Sequence, residues 1–185
     1  MTNISNISNE NLIRFASYSS VTIAIIIMIA KLYGWLITDS QSILASLIDA
    51  ILDISSSLIN LIAINIALMP PDKNHRFGHG KFQDLAIFSQ SIFFFASGAF
   101  AIVSSIKSLY YVSVPESAEL GINLMLLCTF LTFLLVTFQT YVVKKTGSKI
   151  VEADKIHYFS DFMTNIGVVF SLYLSSYFWF IDSLV

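Results

Sequence analysis

The chain has 185 residues, of which 56% are hydrophobic and only 12% charged, with a formal net charge of −2 and a mean hydropathy of +0.76. Such a composition excludes an ordinary soluble domain, and the slight acidity gives no basic surface for nucleic acid. A lone Cys128 excludes a disulfide framework and reads as a small packing residue.

The first 14 residues, MTNISNISNENLIR, are polar and lack the basic start and cleavage site of a signal peptide; they read as a short cytoplasmic tail. Apolar stretches long enough to cross a hydrocarbon core of about 30 Å then follow at 15–37, 42–69, 85–112, 120–143 and 154–178. Long unbroken apolar runs, rather than alternating strands of about ten residues, exclude a barrel. The expected fold is therefore all-α, a polytopic transmembrane helix bundle of about five spans over residues 15–178. MPPDKNHRFGHGK (69–81) and VPESAELG (114–121) are read as loops from their prolines and glycines.

Basic residues set the orientation. Arg14 precedes the first span, Lys73, Arg76 and Lys81 separate the second and third, and Lys144, Lys145, Lys149 and Lys155 separate the fourth and fifth. The opposite connections carry Asp39, Glu116, Glu119 and Asp182 and no base. The N-terminus is thus expected in the cytoplasm. Lys31, inside the first span and about two turns from its outer end, is expected to snorkel outward.

Four ionisable residues interrupt the apolar helices. Asp49 and Asp53 in span two and His157 and Asp161 in span five each lie four residues apart, one turn on one face. Helix rise puts both pairs roughly 10 to 17 Å from their points of entry, bracketing the midplane. Three carboxylates and an imidazole at one depth suit a tetrahedral site for zinc or a similar divalent ion. A charge at the membrane centre costs about 3 kcal/mol on insertion scales and usually marks an ion path or proton relay. The blander alternative, a buried ion-pair network, fails on charge because Lys31 cannot balance three acids. Protonated, hydrogen-bonded acids would leave the matched spacing without a reason. Asn165, Ser46, Ser56 and Ser160 are near enough in sequence to orient the carboxylates. In the 69–81 loop, Asp72, His75 and His79 form a looser group; from spacing alone, solvated or capping roles and metal binding stand level.

These residues carry a family likeness. SILASLIDAILDISSSLINLIAINIALMPPDKNHRFGHGKFQD (42–84) and ADKIHYFSDFMTN (153–165) resemble the cation diffusion facilitators, most of all their bacterial iron and zinc efflux branch. The likeness runs from about residue 10 to the end. It rests on D-x-x-x-D in one span, H-x-x-x-D in another and N-H-x-F-G-H-G-K between spans two and three. The resemblance implies that Asp49, Asp53, His157 and Asp161 form the transport site and that Asp72, His75 and His79 form a second metal site at the cytoplasmic mouth. It implies a proton-coupled exporter of zinc, ferrous iron, cadmium or cobalt in a bacterial inner membrane, working as a homodimer, with metal as cargo and no permanent cofactor. It also implies six spans followed by a cytoplasmic α/β domain. Here residues 179–185 read as a shortened start of the sixth span, and the domain is not in the sequence. The alternative is then a chain that only binds metal or assembles with another chain. An enzyme is not expected, because no H-E-x-x-H helix or nucleophile–base motif occurs. A channel is disfavoured because it would use rings of weak sites.

Overall fold

The computed structural model describes residues 2–38, 41–110 and 118–175. Five helices account for nearly all of them: α1 Thr2–Thr38, α2 Gln41–Ala67, α3 Lys81–Tyr110, α4 Ala118–Thr146 and α5 Lys149–Ser175. No strand occurs among the described residues. At about 1.5 Å per residue each helix is roughly 40 Å long or more, enough to cross a bilayer. Within the described residues Asn9–Ile37, Ser46–Ala67 and Asn123–Thr146 meet the length and hydropathy of a membrane span. The chain is thus an all-α membrane helix bundle, as its composition indicates. The polar N-terminal stretch is no separate coil, since α1 already begins at Thr2. Residues 179–185 and the loop tip at 114–117 lie outside the described residues.

Breaks fall where the sequence forces them. Helix α2 stops just before Pro70 and Pro71, which have no N–H to continue the ladder. Helix α4 ends on Gly147, whose φ of 64° lies in the left-handed region that closes a helix C-terminus. Its N–H donates to the Val143 carbonyl, 2.8 Å. Ser148 opens α5 at once, its hydroxyl taking the Val151 N–H as an N-cap. This tight corner sets α4 against α5.

The helices form a closed ring in which α1 touches α2 and α4, α4 touches α5, α5 touches α3 and α3 touches α2. At one end the ring is filled by Ala16, Ala63, Ile64, Ala86, Val142, Ile150 and Val151, contributed by all five helices. Three of these are alanines, which let helix backbones approach closely where no hydrophobic effect drives them together. Cys128 is wholly buried, in keeping with a packing role.

The interior is crossed by a polar centre built on Asp154 of α5, a buried residue. Its Oδ2 accepts from Ser20 Oγ of α1 (2.6 Å) and Gln139 Nε2 of α4 (2.6 Å). Its Oδ1 accepts from Asn60 Nδ2 of α2 (2.9 Å) and Gln90 Nε2 of α3 (3.2 Å). One carboxylate therefore ties every helix of the ring. Nearby, the Tyr158 and Ser57 hydroxyls lie 2.7 Å apart, joining α5 to α2. Charge-assisted bonds of this kind are the strong ones, and four donors saturate the anion.

Removing the acceptor strands four buried donors, each of which costs about 1–3 kcal/mol when unsatisfied. Asp154→Ala is expected to destabilise the chain by at least ~3 kcal/mol, and Asp154→Asn by less, read as thermal unfolding in detergent micelles. An unfolding midpoint equal to the parent's in Asp154→Ala would sink the assignment.

Candidate metal centre

The stripe on α5 continues from Asp154 at i to His157 at i+3 and Asp161 at i+7, a spacing that keeps all three on one helical face. It faces α2, where Asp49, Asp53, Ser57 and Asn60 follow the same rule. The two stripes meet about 4.5 Å along the α5 axis from Asp154, at the level of His157.

There, His157 Nε2 lies 3.0 Å from Asp53 Oδ1 and 3.6 Å from Asp161 Oδ2. Ligand atoms of Asp53, His157 and Asp161 fall within 4.8 Å of one another. Donors about 2.0–2.1 Å from a tetrahedral zinc ion stand roughly 3.3 Å apart, and the two distances bracket that value. His157 is buried, edge-on to Phe94 at 6.1 Å and to Tyr158 at 5.4 Å. Those rings limit water around the imidazole and fix its plane. Asp161 Oδ2 has no hydrogen-bond partner and keeps a lone pair for a cation; His157 Nδ1, the ring nitrogen not turned to the carboxylates, is also unpartnered.

Asp49 is close but engaged elsewhere. Ser97 of α3 donates a hydrogen bond to its Oδ1, and it does not fall within the three-residue cluster. Of the four residues expected from the sequence, three thus converge and the fourth stands beside them, held by a serine on a third helix. Of the serines proposed as orienting groups, Ser56 is buried with its hydroxyl unpartnered, and Ser46 offers its backbone carbonyl to Lys31 Nζ at 3.2 Å. Lys31 does not snorkel outward but turns into the bundle, where it is 5% exposed.

The 69–81 loop brings Asp72, His75 and His79 together, again with ligand atoms within 4.8 Å. His75 Nδ1 is 3.3 Å from Asp72 Oδ1 and His79 Nε2 is 3.5 Å from Asp72 Oδ2. The imidazoles are tilted against each other with centroids 4.4 Å apart. Gly78, at φ 80°, makes the turn that returns His79 toward Asp72, a backbone state costly for other residues. Asp72 also caps the loop, accepting the backbone N–H groups of His75 (2.6 Å) and Asn74 (2.8 Å). Those bonds, that of His75 first, hold its carboxyl below the usual carboxylate range. The capping and metal-binding readings of this loop therefore describe one and the same side chain.

Sequence reasoning missed Asp154 and Ser97. Asp154 sits beside Lys155 and looks like part of a charged flank. The available signal was that Ser20, Asn60, Gln90 and Gln139 put a hydroxyl or amide into each of the other helices.

The bundle defines a polytopic membrane protein with a carboxylate–imidazole cluster in its interior. The chain belongs to the cation efflux family, whose transmembrane-domain model matches residues 17–185. It is 60% identical over 179 residues to Protein p34 of Rickettsia prowazekii, a match covering 97% of this chain and 60% of that protein. It is 39% identical over 174 residues to the cation-efflux pump FieF of Klebsiella pneumoniae, covering 94% of this chain and 58% of the pump. A FieF of Salmonella arizonae is also 39% identical, over 168 residues and 56% of its length. The chain spans about three fifths of the length of these relatives.

Because the Asp72 carboxyl is lowered in the folded loop, its ordering contribution is complete above its ordinary value of about 3.9 and is lost as pH falls through the lowered value. Protection of the Asn74 and His75 amides, taken against the free-peptide exchange rate at each pH, is expected to hold through pH 5 and to fall only below about pH 4. Asp72→Asn should weaken that pH dependence. A profile that is flat in the parent would contradict the capping geometry.

Proposed function

We infer that the chain is a carrier of divalent metal cations, of the zinc, ferrous iron and cadmium class, exchanging metal for protons at Asp49, Asp53, His157 and Asp161. The observation that supports it most is the convergence of Asp53, His157 and Asp161 at donor spacings suited to one small dication. All three are oxygen or imidazole ligands, which favours zinc-like ions over Cu(I). Asp49 completes a four-ligand shell by exchanging its Ser97 hydrogen bond for the ion.

Proton coupling follows from the same atoms. Nε2 of His157 lies within hydrogen-bond distance of Asp53 Oδ1, 3.0 Å, and a proton between them competes with a metal that needs the Nε2 lone pair. Entry of metal therefore expels a proton, and protons arriving from the other side displace the metal. Alternating access of the two helical stripes turns this competition into antiport. No covalent chemistry is involved, and the ion is cargo rather than cofactor.

Asp72, His75 and His79 act as a second, looser metal site at the cytoplasmic mouth, with the N-terminus cytoplasmic in a bacterial inner membrane, a placement that the one-sided lysines and arginines support. The working unit is a homodimer, as expected from the family likeness.

Zinc uptake into proteoliposomes under an imposed pH gradient tests the reading. The parent chain is expected to accumulate zinc and to stop when the gradient is collapsed, while Asp161→Ala falls to background. A parent that binds zinc yet never moves it would reduce the chain to a metal-binding module.

A further inference from the structure

Lys31 is the one lysine drawn into the described core. It lies on α1, 5% exposed, in a helix segment apolar enough to span a bilayer. Its Nζ donates to the carbonyl oxygen of Ser46, 3.2 Å away. In an α-helix that carbonyl points along the axis toward the N–H four residues on. The ammonium therefore sits at the level of Asp49. From there its charge reaches both Asp49 and Asp161. Burying an ammonium in a bundle is costly unless its field is used, yet its hydrogen bond goes to backbone and leaves carboxylate oxygens available.

The charge count gives the burial a reason. Asp49, Asp53 and Asp161 contribute three negative charges, and His157 is neutral when it ligates. Lys31 contributes one positive charge, so the cluster carries −3 + 1 = −2. One divalent ion neutralises it. That charge is of the four ligands and Lys31 alone; Asp154, a level away, ligates nothing and is held by its own four neutral donors.

We propose that Lys31 is a specificity-determining residue: a tethered cation that sets the charge of the transport site to match a single dication and keeps that ion releasable. This rests on the transport-site reading above. Without the lysine the site with metal bound retains a net negative charge, holds the ion harder and lets it go more slowly. With it, the loaded centre is neutral and can change its exposure from one side to the other at little electrostatic cost.

The test compares the parent chain with Lys31→Gln, Lys31→Met and Lys31→Arg. All are compared with the loop site silenced by Asp72→Ala and His75→Ala, zinc binding being read by calorimetry in detergent and zinc flux in proteoliposomes. Lys31→Gln keeps a donor for the Ser46 carbonyl and guards against a folding defect in Lys31→Met. The neutral variants are expected to bind zinc on the order of tenfold more tightly, the scale of one nearby charge in a partly buried site. KM and maximal flux are expected to fall together. Lys31→Arg, which retains the charge, is expected to match the parent. Neutral variants with the parent's affinity and flux, or with weaker binding, would overturn the proposal while the parent's own binding left the transport-site reading standing. A parent that binds no zinc would remove both.

Discussion

A buried carboxylate with no cation beside it is tolerated in a membrane bundle only if hydrogen bonds replace the water it has lost, and Asp154 meets that condition through Ser20, Asn60, Gln90 and Gln139. Each donor comes from a different helix, so satisfying one anion fixes the relative rotation and depth of all five. Lipid supplies little net drive for helix association. Directional bonds at the centre and close alanine contacts at one end do that work instead.

The functional cluster is a consequence of that registration. His157 follows Asp154 by three residues and Asp161 follows His157 by four, so the rotation that satisfies Asp154 also turns both toward α2. On α2 the same logic runs in reverse, from Asn60 through Ser57 to Asp53 and Asp49. The saturated centre and the unsaturated one differ in kind. Asp154 has all its acceptors filled, whereas Asp161 Oδ2 and His157 Nδ1 are left without partners. The second keeps unfilled polar atoms, and the Asp154 carboxylate has none. Lys31 approaches the second from α1 and supplies charge without occupying donor atoms, which leaves the shell open to an ion.

Much of this was legible before any coordinates. Hydropathy alone marks the helices, because a span must be apolar over about 20 residues whatever it packs against. The i, i+4 spacing of Asp49 with Asp53 and of His157 with Asp161 announces two ligand-bearing faces, and the structure brings three of those four side chains together. Charge cost explains why: an acid inside a span needs a reason, so it stands out against isoleucine and leucine. Asp154 was obscured because it lies beside Lys155 at the edge of the apolar run. The three amides and one hydroxyl that make its environment are neutral and scattered over four helices, and pairing across helices has no signature along the chain. Lys31 was misread for a related reason. A lysine two turns from a helix end has the reach to go outward or inward, and only the position of the Ser46 carbonyl decides between them. Ser97 is one of many serines, and its link to Asp49 is purely tertiary.

The most direct test of a single-ion centre between α2 and α5 is zinc K-edge absorption spectroscopy on the chain with its loop site silenced by Asp72→Ala and His75→Ala. One tightly held zinc is expected, with oxygen and nitrogen neighbours at about 2.0–2.1 Å and the outer-shell signature of a single imidazole. Loss of all bound zinc in that variant, or a spectrum with two or more imidazoles, would contradict the assignment of Asp53, His157 and Asp161 as the metal centre.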